Sequence, residues 1–216
     1  MKYRLSGARI WDGSTSAATD EALDLFIDGG EIASIHSSPG GEEALTLRLP
    51  PGAVAIPGLI DAHVHLDLDP HLMAPDDQFK PSRSDRDLRM IARAGAMVRA
   101  GITTARDLGA GEWRELVLRD AIARGDLPGP RVVCAGQPLT VEQGHCHFWG
   151  GVATDAEDQV RVVRRQLEHG VDWVKVMATG GYFTKGSGVD RAQFSADELR
   201  GVVGLAREAG LQVAAH

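Results

Sequence analysis

Apolar positions along this chain follow two different periods, and the change comes near residue 57. Before it the runs are short and β-like. "YRLSGARIWDG" and "ALDLFIDGGEIASI" end in glycine turns at Asp12-Gly13 and Asp28-Gly29-Gly30. "EALTLRLPPGAVAI" alternates Leu45, Leu47 and Leu49 and then stops at a proline pair. No helical period runs through residues 1–57, which predicts part of a small β-domain.

After residue 57, helical stretches alternate with apolar runs. Ser84 is predicted to cap a helix with Leu88, Ile91, Ala92, Gly95 and Val98 on one face, ended by Gly101. A second helix is predicted over about 112–124. Thr154 and Glu157 form a capping-box pattern ahead of Val160, Val163 and Leu167, with a stop at Gly170. Ser195 and Glu198 repeat it ahead of Leu199, Val202, Val203, Ala206 and Ala209, with a stop at Gly210. Between these helices lie strands predicted at about 53–65, 102–107, 131–136, 172–178 and 211–216. Such alternation, with near-continuous apolar strands, predicts a parallel sheet. The choice is a doubly wound sheet or a (β/α)8 barrel. No glycine-rich phosphate fingerprint opens a helix, which weakens the nucleotide-binding version. A whole barrel takes about 250 residues, so a barrel here stops after its fifth strand.

Composition narrows the class of protein. The 216 residues are 43% hydrophobic and 25% charged, with a net charge of −7. This suits one large domain or one plus a small one. No basic stripe suggests a nucleic-acid partner. No apolar run approaches the roughly 18 residues of a membrane span, and "MKYRLSGARIWDG" lacks the apolar core of a signal peptide. Nothing marks Cys134 and Cys146 as a disulfide pair. The cytoplasm is the expected location.

The candidate chemistry gathers at the strand ends, where parallel α/β folds place working residues. "IPGLIDAHVHL" sets Asp61, His63 and His65 at alternate positions. Two imidazoles at i and i+2 on a strand face one way and can converge on one ion, with Val64 turned to the opposite side. Polar residues in a turn after a strand are the plain alternative. Strand two ends in Asp107. Lys175, inside "WVKVMA", is predicted to face inward with Trp173 and Met177, while Val174 and Val176 face the helices. A buried ammonium needs a partner. Lys175 either reaches a carboxylate such as Asp107 or Asp61, or is converted to an anionic metal ligand. His216 ends "LQVAAH" and shares a face with Gln212 and Ala214. It is either a chain end or a ligand.

Together, "PGLIDAHVHL", "GITTARDLG", "GHCHFWGG", "GVDWVKVMATGG" with "FSADELRGVV", and "VAAH" resemble landmarks of the amidohydrolase superfamily. The branch they resemble contains imidazolonepropionase-related and prolidase-type metal-dependent hydrolases. The resemblance covers essentially the whole chain, and its motifs are specific in combination and weak singly. It implies an α/β fold: a (β/α)8 TIM-type barrel, with about the first five strands present over 58–216, beside a small β-sandwich whose N-terminal part is 1–57.

The resemblance also implies the site. His63 and His65 would bind the more buried of two divalent metals, and His216 the second. Lys175, as a CO2-derived carbamate, would bridge the two. A carbamate is anionic and has two oxygens to share, where an ammonium would repel both cations. Zinc is the first choice of metal, with manganese, iron or cobalt as alternatives. Metal-bound hydroxide would hydrolyse an amide or peptide C–N bond in a small molecule. Dipeptides or N-acyl amino acids lead as substrates, cyclic amides follow, and organophosphate or carbamate esters come third. In the loop "TVEQGHCHFWGG", His145 would hold a substrate carboxylate or serve as a structural residue. Tyr182, Lys185 and Arg191 would contact an anionic substrate group or stand solvated. The 67–83 loop, with His71, would form a lid. The family's strand-six histidine and strand-eight aspartate have no counterpart here, so the chain reads as the N-terminal part of a longer enzyme. A non-catalytic scaffold relative and an unrelated α/β binding protein are the competing readings. Homo-oligomerisation is open.

Overall fold

The computed structural model describes residues 1–36, 44–72 and 74–216. Glu43, at the start of the third predicted β-run, lies outside them, as does Met73 within the 67–83 loop. The chain divides into two compact units, Met1–Gly58 and Leu59–His216.

The first unit is a sheet of β1 (Lys2–Ile10), β2 (Leu23–Asp28), β3 (Glu31–His36), β4 (Leu45–Arg48) and β5 (Val54–Ala55). Its order is β3-β2-β1-β4, and β5 pairs with the far end of β1. The Gly29-Gly30 turn joins β2 to β3 with both residues at positive φ, 60° and 88°, a conformation that carries no steric cost for glycine. Gly7, at φ 88°, makes the bulge between Ser6 and Ala8 in β1. Asp24 fastens that bulge by accepting from the Gly7 N–H at 3.1 Å and pairing with Arg4. The alternating Leu45 and Leu47 of β4 stay 57% and 48% exposed.

The second unit begins with β6 (Leu59–Val64). The strand predicted from residue 53 is thus two elements, because Val54 and Ala55 pair with Arg9 and Ile10 of β1. There follow α1 (Pro75–Gln78), α2 (Arg83–Arg99), β7 (Ile102–Asp107), α3 (Arg114–Ala123), β8 (Arg131–Cys134), a 3-10 turn (His147–Trp149), α4 (Ala156–Glu168), β9 (Trp173–Val176), α5 (Ala196–Glu208) and β10 (Gln212–Ala215). β6, β7 and β8 pair in parallel, as do β9 and β10. The two sets meet where Asp172 N donates to Cys134 O and Leu139 N to Lys175 O, both at 2.8 Å. Neighbours in space are therefore neighbours in sequence, each pair joined through helical chain, which is the alternating α/β order that the periodicity predicts. Leu59 and Ile60, on the outer strand β6, are 50% and 70% exposed.

The helices cover one face of these strands. Val174 and Val176 pack with Val162 and Val163 of α4 and with Val202 and Ala206 of α5. Each fully buried valine contributes about 1.5–3 kcal/mol. Val64, Val132 and Cys134 pack with Met90 and Ala94 of α2 and with Leu116 and Leu118 of α3.

Helix caps follow the sequence in kind and shift in place. Ser195 and Glu198 form the full capping box of α5. At α4 the cap is Asp155, which accepts from Asp158 N at 2.9 Å, and Thr154 instead donates its hydroxyl and N–H to Asp158. At α2 the cap is Ser82, which accepts from Asp85 N, while Ser84 lies inside the helix. The face of α2 turns with it. Met90, Ala94 and Gly95 are buried, whereas the expected Leu88 and Val98 are 67% and 38% exposed. At α2 a side chain two residues earlier, and at α4 one residue later, reaches the free N–H groups, and a pattern of cap-competent residues does not rank such neighbours.

Candidate functional site

The face of β6–β10 opposite the helices carries the candidate groups. His63 and His65 bring their ring centres within 5.2 Å of each other, while Val64 packs toward the helices. Period-two alternation produces this arrangement. His65 lies just past the last strand residue. Its Nδ1 is 2.9 Å from Gly109 O, and its ring lies 5.0 Å from that of the buried Trp149. Burial pushes the His65 imidazole down to about 4, and burial with the nearby Lys175 charge lowers His63.

Lys175 is fully buried, and its Nζ has no hydrogen-bond partner among the described residues. Burial depresses it to about 8, and Arg106 adds repulsion. Neither carboxylate proposed as its partner takes that role. Asp107 accepts from the N–H groups of Leu66 and Gly109 at 2.9 and 3.0 Å, and Asp61 accepts from His63 N at 3.2 Å. Asp107 sits on the helix side of β7, in register with Cys134. Alternation sends its neighbour Arg106 to the Lys175 side, where the guanidinium lies 4.3 Å from the Trp173 ring centre and donates to Ala62 O at 2.8 Å. The same period-two rule applied to "ITTARD" would have found Arg106 in the sequence.

His216 closes the arrangement. Its N–H donates to Val176 O at 2.9 Å, extending the β9–β10 pairing by one residue. Its ring centre lies 4.5 Å from that of His145. Burial lowers His216, and burial with the adjacent His216 charge takes His145 down to about 4. His145 is buried and its Nδ1 has no hydrogen-bond partner among the described residues. Gln193 holds its backbone, accepting from His145 N at 2.7 Å while donating to Met177 O at 2.6 Å. Cys146, Trp149 and Met177 form a small apolar cluster here. Both cysteines are free thiols.

Other expected residues stand apart. Tyr182 is 93% exposed, and Lys185 and Arg191 are exposed as well. No described contact joins them to the imidazoles. The 67–83 loop is braced by Gln78, which bonds the backbone of Asp69 and Leu72, and by Arg89 against Asp69.

The arrangement is thus a set of nitrogen bases around one unpaired amine, each shifted toward its uncharged form. Lone pairs are what a divalent cation requires. Among the described residues, no three His, Cys, Asp or Glu side chains converge to hold a metal unaided. His63, His65, His145 and His216 offer nitrogen donors here, and the Lys175 amine stands among them without a partner among the described residues.

The profile of the amidohydrolase family matches residues 54–216. The chain belongs to the amidohydrolase family. Among its relatives is the ochratoxinase of Aspergillus niger, 29% identical over 201 residues, a match covering 79% of this chain and 40% of that protein. An amidohydrolase crystal structure superposes with a TM-score of 0.88 at 26% identity, covering 100% of this chain and 56% of that one. A Xaa-Pro dipeptidase with methionine in its active site gives 0.85 at 26% identity, with the same coverage. The chain spans about half the length of these amidohydrolase relatives. Among the described residues, no helix is long and apolar enough to cross a membrane.

Proposed function

We propose that this amidohydrolase chain carries the metal-binding half of a hydrolase acting on amide or peptide C–N bonds, with dipeptides or N-acyl amino acids as substrates. The buried, unpartnered Lys175 Nζ between histidine pairs carries this reading. A free ammonium there is costly, whereas a neutral amine near pH 8 is the form that adds CO2. The name of the dipeptidase relative agrees with a peptide substrate. In this reading β6–β10 are the first five strands of a (β/α)8 barrel, and Met1–Gly58 is part of a β-sandwich.

His63 and His65 would hold one divalent cation and His216 the other, with the Lys175 carbamate shared between them; zinc suits such a set. Cations bound there would polarise the scissile carbonyl and make water acidic enough to attack at neutral pH. The chain's own groups do the rest. Trp149, packed with Cys146 and Met177, keeps bulk water from around His65. His145, kept neutral, offers a hydrogen bond to a polar group of the substrate.

The test is native mass and elemental analysis of the protein purified with bicarbonate, alongside K175A, followed by a panel of dipeptides, N-acyl amino acids and cyclic amides. One CO2 and up to two cations per chain are expected, both lost in K175A. Metal without CO2 overturns the carbamate. Absence of both overturns the metal reading and favours a scaffold relative.

A further inference from the structure

His65 is held by more than its own strand. Its Nδ1 lies 2.9 Å from Gly109 O. A carbonyl oxygen only accepts, so Nδ1 carries the proton and Nε2 keeps the lone pair. Gly109 is placed in turn by Asp107, whose Oδ1 accepts from Gly109 N at 3.0 Å. The other oxygen, Oδ2, accepts from Leu66 N at 2.9 Å, on the residue next to His65. Leu108 N donates to Val64 O at 3.0 Å between the same two chain segments. One carboxylate, 0% exposed, therefore ties the end of β6 to the end of β7 on both sides of the His65–Gly109 bond.

The space around Gly109 leaves this peptide little freedom. Its φ is 144°, and a Cβ there would lie 2.3 Å from Pro138 Cγ and 3.3 Å from Trp149 Cζ3. Trp149 also flanks the His65 ring. Asp107 itself faces the helices beside Cys134 and cannot touch a substrate on the opposite face.

We infer that Asp107 is a positioning residue for His65: its carboxylate fixes the Gly109 carbonyl, and through it the tautomer and the direction of the lone pair offered to a divalent cation. Partners of this kind set ligand orientation and raise metal affinity. The inference rests on the metal reading for its cation, while the tautomer rests on hydrogen bonds alone.

The experiment compares the full chain as wild type, D107N and V132A, with zinc as the probe. Val132 packs in the same apolar cluster as Cys134 and does not take part in the His65 bonds. Ring-nitrogen chemical shifts of metal-free protein give the His65 tautomer, and zinc titration gives affinity. Wild type is expected to carry the proton on Nδ1. D107N offers one acceptor oxygen where the carboxylate offers two, so it should populate both tautomers and bind zinc about 10–100-fold more weakly. V132A should unfold at a lower temperature with tautomer and affinity unchanged. A proton on Nε2 in wild type overturns the inference without any variant, and if D107N does not fold that measurement decides. A folded D107N with wild-type tautomer and affinity overturns it, as does a V132A loss equal to that of D107N. If wild type binds no zinc, the metal reading fails, and the tautomer comparison alone settles the role of Asp107.

Discussion

The backbone of Gly181 lies against the imidazole of His145. A Cβ built on Gly181 would stand 2.5 Å from Cε1 and 2.6 Å from Nε2 of that ring. Real side chains do not approach so closely, so any larger residue must move either the loop or the histidine. In G181A the displaced group is the ring, since the loop is held by Gly180 N donating to Arg191 O and Gly181 N to Ser187 Oγ. The expected result is a stability loss of about 1–3 kcal/mol and a fall in kcat/KM of tenfold or more. Thermal unfolding and steady-state kinetics read the two separately. Unchanged kinetics would remove His145 from turnover.

Lys175 is a stability cost in the metal-free chain. In metal-free protein its buried ammonium titrates near 8, against 10.5 in the unfolded chain. Between those values the unfolded state binds more protons, so stability rises with pH from about 8 toward 10. K175M keeps the apolar stem and removes the charge. At pH 7 the metal-free variant should be more stable by about 1–3 kcal/mol, should lose the alkaline rise, and should bind no CO2. Denaturant unfolding at pH 7 and 10 decides; equal stability at pH 7 would mean that the amine is already compensated.

Glu115 gives a second pH dependence. Its side chain is fully buried and both carboxylate oxygens lack partners among the described residues. Burial pushes it up to about 8, and Asp107 adds repulsion. Burial raises Asp107 as well, but two N–H donors favour its ionised form, so the proton stays on Glu115. For Glu115 the folded value lies above the unfolded 4.5. Its stabilising contribution is therefore complete at low pH and is lost as pH rises toward 8. E115Q should match wild type at pH 5, exceed it at pH 9 by about 1 kcal/mol or more, and show a flatter profile. Parallel stability curves for the two proteins would mean that Glu115 does not hold the proton.

The capping box of α5 also links two helices. Glu198 accepts from Ser195 N at 2.7 Å and from Gln159 Nε2, on α4, at 2.8 Å. S195A should cost about 1 kcal/mol. E198A should cost more, because the buried Gln159 amide loses its partner. Hydrogen exchange at the first turns of α4 and α5 should rise in E198A, and only at α5 in S195A.

Sequence by itself determined what period and local chemistry control. Alternation placed His63 and His65 on one side and Val64 on the other, and it turned Val174 and Val176 to the helices around Lys175. Ser195 and Glu198 were legible because a capping box closes within four residues. These features depend on backbone geometry repeated over a few residues, which the chain carries in itself. The tertiary structure alone decided the rest. Val54 and Ala55 joined β1 because a partner distant in sequence offered them hydrogen bonds. Leu88 and Val98 turned outward when α2 docked through Met90 and Ala94. Asp107 left Lys175 unpaired because two backbone N–H groups from different chain segments reached its carboxylate. Gly181 met His145, and Asp107 reached His65 through Gly109, by contacts between loops far apart in the chain. No residue pattern encodes such meetings, because each exists only once the strands have set their ends side by side.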